Sequence, residues 1–284
     1  MTNAWQTINT RLEDFLERGL KKNKSLFNIV GGTSGTSASF FLSQTLSKEF
    51  SELPRFVIVS SLDQALSLQH QIAFFSPFLK PHVLHPWDVS PFSGLYPSPE
   101  IRNSRSNFLY WASQAQKNDI FIAPISALLQ LSAPFLSFNK RCKLWHQGDE
   151  VPTSLVQFLN SLGYESSPIV EDIGQYSLRG GIIDIFSPAE KKPVRLELFG
   201  DQIESLRTFS TTDQRSLDEI SELHLAPIYE FELNDDNVEH IIKNIQDEFK
   251  TRSITPAESE EVIRSLSLKN YFPGCELLLP YCYE

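Results

Sequence analysis

Apolar residues follow two different periods along this chain, and the first is that of alternating strands and helices. Short apolar runs recur between residues 26 and 125, each followed by apolar residues spaced as on one face of a helix. The runs predict strands at 26–30, 55–61, 82–87 and 119–125, and the segments after them predict helices at 37–50, 62–76, 101–116 and 126–132. Near-continuous apolar strands alternating with helices are typical of a parallel sheet with helices on both faces.

Strict alternation of apolar and polar residues replaces this pattern from Tyr176 onward. The alternation predicts antiparallel strands at 181–186, 193–199 and 202–209, and Gly200-Asp201 forms a two-residue turn between the last two. Period two places Val194, Leu196 and Leu198 on one face of their strand, and Arg195, Glu197 and Phe199 on the other. A charged face with one aromatic residue suits a polar protein interface with a few anchors.

The helical period returns in the last part of the chain. It predicts helices at 234–249 and 258–268, after a shorter one at 155–165 that Gly163 caps. A final apolar run at 275–284 predicts a strand, and we expect the sequence to be part of a longer protein. The fold class is therefore α/β: a helicase-like parallel sheet interrupted by an inserted β-rich α+β domain. We expect domains at 1–137, 138–228 and 229–284.

Amino-acid composition limits the classes of function that the protein can have. The chain has 41% hydrophobic residues, which is enough for a sizeable core, and its net charge of -10 argues against a broad nucleic-acid surface. No apolar run approaches the length of a membrane span, so no membrane partner is expected. Three cysteines without a CxxC motif predict reduced thiols in a cytoplasmic protein, and neither a metal site nor a cofactor is predicted.

The stretch FNIVGGTSGTSASFFLSQ at 27–44 has the layout of a phosphate-binding loop: an apolar strand, a Gly/Ser/Thr turn and a helix. A working loop reads GxxxxGK[ST], and its lysine reaches the β- and γ-phosphates. Here Thr36 replaces the lysine and Val30 replaces the first glycine. The candidate degenerate loop comprises Gly31, Gly32, Gly35, Thr36 and Ser37. The sequence therefore predicts a structural turn, able at most to hold an anion on a helix N-terminus, and no catalytic residues.

Two segments of the β-rich region resemble a known family. Residues 174–188, GQYSLRGGIIDIFSP, and 194–210, VRLELFGDQIESLRTFS, resemble the second domain of the nucleotide-excision-repair protein UvrB. They resemble more closely the UvrB-like module, domains 1a, 2 and 1b, of the transcription-repair coupling factor (Mfd) family. The degenerate loop and residues 85–110 favour that family over UvrB, which keeps an intact loop.

The resemblance implies an adaptor without ATP hydrolysis. In the family this module recruits UvrA to stalled RNA polymerase through its second domain, on the surface that UvrB also uses. The C-terminal domains of the same full-length chain mask that surface. RNA polymerase and DNA are contacted through other domains, and the full-length family member is an ATP-dependent DNA translocase.

The candidate UvrA-binding residues lie in the two family segments. Arg179 is the first choice, because it matches the contact arginine of the family and precedes two glycines that give it little cover. Its neighbours Tyr176, Asp184, Phe186, Arg195 and Glu197 complete the candidate set. Asp184 has a second interpretation, as a local partner for an arginine.

Two alternatives to the adaptor remain open. One is a UvrB-like, ATP-dependent DNA damage-binding protein, against which the missing lysine argues. The other is a purely autoinhibitory clamp, which would bind the rest of its own chain but not UvrA. Masking requires one surface to serve both partners, so the adaptor and clamp roles can coexist.

Overall fold

The computed structural model of the protein describes residues 35–47, 54–90, 93–252 and 256–282. The chain forms two compact units. Unit 1 holds Met1–Val83 and Ala115–Pro124, and unit 2 holds Leu84–Gln114 and Ile125–Glu284. The chain therefore passes between the units three times. The domain boundaries predicted at 137 and 228 remain predictions.

Unit 1 contains a parallel sheet of three described strands. Its elements are α1 (Thr36–Ser47), β1 (Arg55–Val59), α2 (Leu62–Phe75), β2 (Lys80–Val83) and β3 (Asp119–Pro124). The strand order is β1-β3-β2, and β3 pairs in parallel with both neighbours. The α/β class and the parallel pairing of these strands are confirmed. The strand predicted at 26–30 lies outside the described residues.

Helix α2 shows why the sequence folds this way. It begins after Ser61, whose hydroxyl accepts a hydrogen bond from the backbone N–H of Gln64 at 3.2 Å, and this satisfies one of the free donors of the first turn. Its buried residues Ala65, Leu68 and Ile72 recur three and four positions apart. They form the core of unit 1 with side chains of the sheet, among them Ile120 and Ile122 of β3.

Unit 2 combines two antiparallel sheets with helices. Its strands are β4 (Lys143–His146), β5 (Glu165–Ser166), β6 (Gln175–Arg179), β7 (Ile182–Ile185), β8 (Val194–Phe199), β9 (Gln202–Phe209), β10 (Ser216–Glu219) and β11 (Glu222–Leu225). Its helices are α3 (Pro99–Ser113), α4 (Ile125–Leu128), α5 (Phe135–Arg141), α6 (Leu155–Ser161), α7 (Asp235–Arg252), α8 (Pro256–Ser267) and α9 (Leu279–Cys282), the last preceded by a 3₁₀ turn at Cys275–Leu278.

The larger sheet has the strand order β10-β9-β8-β7-β6-β5, and only the short edge strand β5 pairs in parallel. The smaller sheet pairs β4 with β11. Gly200 has a φ of 65°, which allows the predicted two-residue turn between β8 and β9. Gly163 has a φ of 89° just after α6, which confirms the predicted cap.

Two predicted strands differ in the structure. The apolar run that begins at Cys275 forms the 3₁₀ turn and α9, because short buried apolar runs fit helix and strand equally well and Pro280 disfavours a paired strand. Gly274, at a φ of 82°, turns the chain into this segment. The strand predicted at 82–87 is β2, which ends at Val83 before Pro86.

Helices and short segments of unit 2 pack in a core separate from that of the sheet. Phe138, Ile241 and Leu266 are among its buried members. Burial raises the pKa of each of the three cysteine thiols, Cys142, Cys275 and Cys282, to about 12. Within the described ranges, none of the helices has the length and apolarity needed to cross a membrane. The same residues contain no group of three or more His, Cys, Asp or Glu side chains suited to a metal ion.

Candidate interaction surface

The six-stranded sheet has one apolar and one polar face, and the register of its strands shows which residues belong to each. Residues directly opposite each other in antiparallel strands project to the same face. On the apolar face Ile183 lies opposite Leu196, and Leu196 opposite Leu206, all of them buried. We call the other side the polar face; it carries Ser177, Arg179, Ile182, Asp184, Arg195, Glu197, Phe199, Ser205 and Arg207.

Asp184 lies at the centre of the polar face and binds two arginines. Arg195, directly opposite on β8, donates to it from Nε at 2.7 Å and from Nη2 at 2.9 Å. Arg179 donates from Nη2 to Oδ2 at 2.8 Å. The Asp184 side chain is only 1% exposed, so the two guanidinium groups supply the hydrogen bonds that water would otherwise make to this carboxylate. One buried carboxylate therefore faces two positive charges.

The two arginines differ in how much of each remains available. Arg195 is 16% exposed; it also donates to the carbonyl of Gln214 at 3.2 Å, and its guanidinium lies over the Phe209 ring. Its hydrogen bonds to Asp184 raise the pKa of Arg195, so its charge is fixed. Arg179 is 52% exposed and uses one of its five N–H donors on Asp184. Of this pair, Arg179 is the one that can bind a partner.

The two glycines after Arg179 shape the end of the polar face. Gly180 has a φ of 61°, which favours glycine. Gly181 accepts from the backbone N–H of Leu198 at 2.7 Å, and a Cβ added at Gly181 would lie 3.0 Å from the Leu198 carbonyl oxygen. The predicted lack of side-chain cover around Arg179 is thus explained by a tight turn against the neighbouring strand.

Two apolar side chains are exposed on the same face beside the charges. Phe199 is 80% exposed, and Ile182, opposite Arg179 on β7, is 39% exposed. Ile182 was not in the predicted set, and Phe199 was placed on this face without being named a contact. The signal that could have found Phe199 is its position immediately before the turn at Gly200, where strand neighbours cannot cover it. An exposed aromatic beside an arginine is the usual composition of an interface anchor.

The other predicted residues have different positions. Glu197 lies on the polar face opposite Ile182 and accepts from the Ser205 hydroxyl at 2.9 Å. Phe186 is partly buried beyond the end of β7, and it exchanges backbone hydrogen bonds with Gly174 and Gln175. Four residues separate it from Ile182, or about 13 Å along an extended strand, so it lies away from Arg179.

The structure corrects the prediction that Tyr176 belongs to the interaction surface. It lies opposite Ile185 on the apolar face and is 2% exposed. Its hydroxyl donates to Asn160 Oδ1 at 3.1 Å, so its polar atom is already satisfied inside the unit. Tyr176 therefore packs the core under the polar face and is not a surface contact. Asp184, at 1% exposure, follows its second interpretation as a local partner for arginine.

The loop predicted as a degenerate nucleotide site is described in part. Helix α1 begins at Thr36, after Gly35 at a φ of 51°, and Thr36 and Ser37 are exposed. Gly31 and Gly32 lie outside the described residues. The described start of the helix offers hydroxyl groups and backbone N–H groups but no positively charged side chain.

Comparisons with known proteins identify the region that contains the six-stranded sheet. The UvrB interaction domain family matches residues 144–231, which contain the whole six-stranded sheet. The chain is 32% identical over 232 residues to the transcription-repair-coupling factor of Myxococcus xanthus, a match that covers 78% of this chain and 19% of that protein. It is 31% identical over 195 residues to the one from Haemophilus influenzae, covering 68% and 17%. The Escherichia coli protein of the same name is 26% identical over 232 residues, covering 81% and 20%.

The polar face thus belongs to a UvrB interaction domain. The chain itself belongs to the transcription-repair-coupling factor family, through its UvrB-homology module. It spans about a fifth of the length of the relatives it matches.

Proposed function

We propose that this chain is an adaptor that recruits UvrA, in transcription-coupled nucleotide excision repair, to stalled RNA polymerase. The observation that carries the proposal is the exposed Arg179 on the same sheet face as the exposed Ile182 and Phe199, within a domain of the UvrB interaction type. An arginine with free donors on a face that also exposes apolar side chains fits a partner surface that presents a carboxylate and an apolar pocket.

The charge balance of the polar face supports the same kind of partner. Arg179 and Arg195 together carry one charge more than Asp184 removes. A partner carboxylate on Arg179 would neutralise that excess in a charge-assisted, bidentate pair. Glu197, on the same face, would limit the approach of unrelated acidic proteins and so contribute to specificity.

The adaptor works without ATP hydrolysis by this chain. Thr36 has no positive charge for a transferring phosphate. ATP hydrolysis, DNA translocation and contact with RNA polymerase then belong to other domains of the full-length protein. The polar face is masked by the C-terminal part of that protein until those domains engage.

Calorimetric titration of the purified chain into UvrA from the same organism tests the proposal. We expect saturable binding that purified UvrB displaces, because the two proteins compete for one surface of UvrA. We expect no heat of binding for ATP with magnesium at millimolar concentration. A folded chain that does not bind UvrA would overturn the adaptor function and favour a purely autoinhibitory clamp. ATP binding with turnover would instead favour the UvrB-like alternative.

A further inference from the structure

The Asp184 cluster is organised around a residue that a partner cannot reach. Asp184 is 1% exposed, yet it accepts three hydrogen bonds from two guanidinium groups. Removing a carboxylate from water is costly unless its surroundings are fixed. Its geometry therefore determines where both arginines lie.

Arg195 is fixed from several sides. Besides Asp184, it donates to the carbonyl of Gln214 at 3.2 Å and to the hydroxyl of Ser216 at 3.3 Å. Gln214 has a φ of 60°, a left-handed conformation that is uncommon outside glycine, and its side chain donates to the carbonyl of Val170 at 3.2 Å. The cluster thus has a rigid inner half, formed by Arg195 and Asp184.

Arg179 is the outer half, and Asp184 is the side chain that orients it. Arg179 is half exposed, ends strand β6 next to the edge strand β5, and precedes the turn at Gly180-Gly181. A free arginine side chain would lose most of its rotamer freedom on binding, and this loss opposes association. The hydrogen bond to Asp184 Oδ2 at 2.8 Å restricts that freedom before a partner arrives.

We infer that Asp184 is a positioning residue of this interaction surface: it holds Arg179 ready for a partner carboxylate without touching the partner. The inference rests on the proposed function, because it assigns how that surface achieves its affinity. It extends to the partner's chemistry, since the N–H donors of Arg179 that Asp184 does not use fit an acidic side chain opposite it.

Electrostatics alone makes the opposite prediction for Asp184. Replacing it by asparagine removes one negative charge from the polar face, and a face that attracts carboxylates only by its net charge would then bind an acidic partner more tightly. Positioning predicts weaker binding, because an amide holds the guanidinium groups less firmly than a carboxylate does. The sign of the change therefore separates the two explanations.

A double-mutant cycle with purified UvrA measures the effect through Arg179. The chain is titrated as wild type, Asp184→Asn, Arg179→Ala and the double variant, with urea unfolding of each to show that it is folded. We expect Asp184→Asn to weaken binding about tenfold in the wild-type background, and by less than about twofold once Arg179 is alanine. If Asp184→Asn does not fold, Asp184→Glu, which keeps the charge but displaces the carboxylate, replaces it in the same cycle, and we expect the same pattern.

Each outcome bears on one of the two claims. If the wild-type chain does not bind UvrA, the proposed function fails. If wild type binds and Arg179→Ala weakens it, but Asp184→Asn binds equally well or more tightly, the function stands and the positioning role is overturned. An equal loss from Asp184→Asn in both backgrounds also overturns it, because the loss would then not pass through Arg179.

Discussion

Unit 2 contains two buried arginine–carboxylate clusters, and they differ in balance and exposure. Arg105 of α3, fully buried, pairs with Glu230, and its other donors bind the carbonyls of His85 and Leu131. That cluster has one positive charge for one negative charge and no exposed guanidinium. At Asp184 two arginines share one carboxylate, and Arg179 is half exposed. The same chemistry thus joins chain segments in one place and presents a binding group in the other.

The comparison teaches how to distinguish structural from interacting arginines in this protein. A balanced cluster sealed from water is complete, and Arg105 even stacks its guanidinium on Trp87, 4.2 Å from the ring centroid. An unbalanced cluster open on one side has a charge and donors left for another molecule. Exposure of the guanidinium, rather than the presence of an ion pair, marks the functional side chain.

The largest expected effect on stability comes from breaking the buried pair of Arg105 and Glu230. Arg105→Met leaves Glu230 buried without its cation, so we expect the free energy of unfolding to fall by about 3–5 kcal/mol. Urea denaturation followed by circular dichroism measures this. The double variant Arg105→Met/Glu230→Met is the control and should recover part of the loss. A fall of less than about 1 kcal/mol would show that the pair is not the structural element the comparison requires.

A partly buried carboxylate that accepts a hydrogen bond from a backbone N–H extends the comparison. Burial raises the pKa of Glu190 to about 7, partly offset by the hydrogen bond from the His224 N–H at 2.9 Å and reinforced by Glu222. The pKa is higher in the folded chain than in the unfolded chain, so this contribution to stability is present below about pH 4.5 and is lost as the pH rises through about 7.

Glu190→Gln keeps a neutral side chain of the same shape and removes this pH dependence. We expect the variant to be more stable than wild type at pH 8 by at most about 3 kcal/mol, and similar to it at pH 4.5. Urea unfolding at both pH values measures the difference. Equal stability of the two proteins at pH 8 would contradict burial of the ionised carboxylate.

Substitution of Phe199 tests the apolar part of the surface that surrounds the Asp184 cluster. Phe199→Ala removes an aromatic side chain that is 80% exposed in the free chain, so we expect the unfolding free energy to change by less than about 0.5 kcal/mol. Binding to UvrA should weaken by about 1–2 kcal/mol if the ring enters a partner pocket. Leu217→Ala, on the edge strand β10 and 47% exposed, is the matched control. Equal effects of the two substitutions on binding would show that Phe199 is not part of the UvrA-binding surface.

Arg179, like Phe199, has a small expected effect on stability. Its ion pair is half exposed, and Arg195 still compensates Asp184 when Arg179 is absent. We therefore expect Arg179→Ala to change the unfolding free energy by less than about 1 kcal/mol. Thermal unfolding or urea denaturation measures it, beside Arg105→Met. A loss of stability as large as that caused by Arg105→Met would contradict the distinction drawn between the two clusters.

The sequence predicted the elements of the polar face better than its internal contacts. Alternation along 193–199 correctly separated Val194, Leu196 and Leu198 from Arg195, Glu197 and Phe199, because period two is a local property of the strand. The burial of Asp184 depends on Arg195, eleven residues further along and on another strand, so no local pattern reveals it. Tyr176 was misassigned for a different reason: alternation along β6 places it on the face opposite Arg179, and the pairing with Ile185 shows that this face is the core.

The helical end of the chain shows a different limit. Apart from Glu276, the run from Cys275 to Cys282 is apolar, and such a run carries no period that separates a buried strand from a buried helix. Arg105 lies on α3, and the structure buries it against Glu230 from a segment 125 residues away. Tertiary contacts of this range are beyond what composition and period can predict.

The most direct test of the UvrA-binding face compares two charge reversals of the same type. Arg179→Glu changes the open cluster, and Arg264→Glu changes an exposed arginine on helix α8, outside the six-stranded sheet. Calorimetry of both folded variants with UvrA should show binding lost by at least about 30-fold, or 2 kcal/mol, for Arg179→Glu and unchanged for Arg264→Glu. Full binding by Arg179→Glu would contradict the assignment of this face to UvrA.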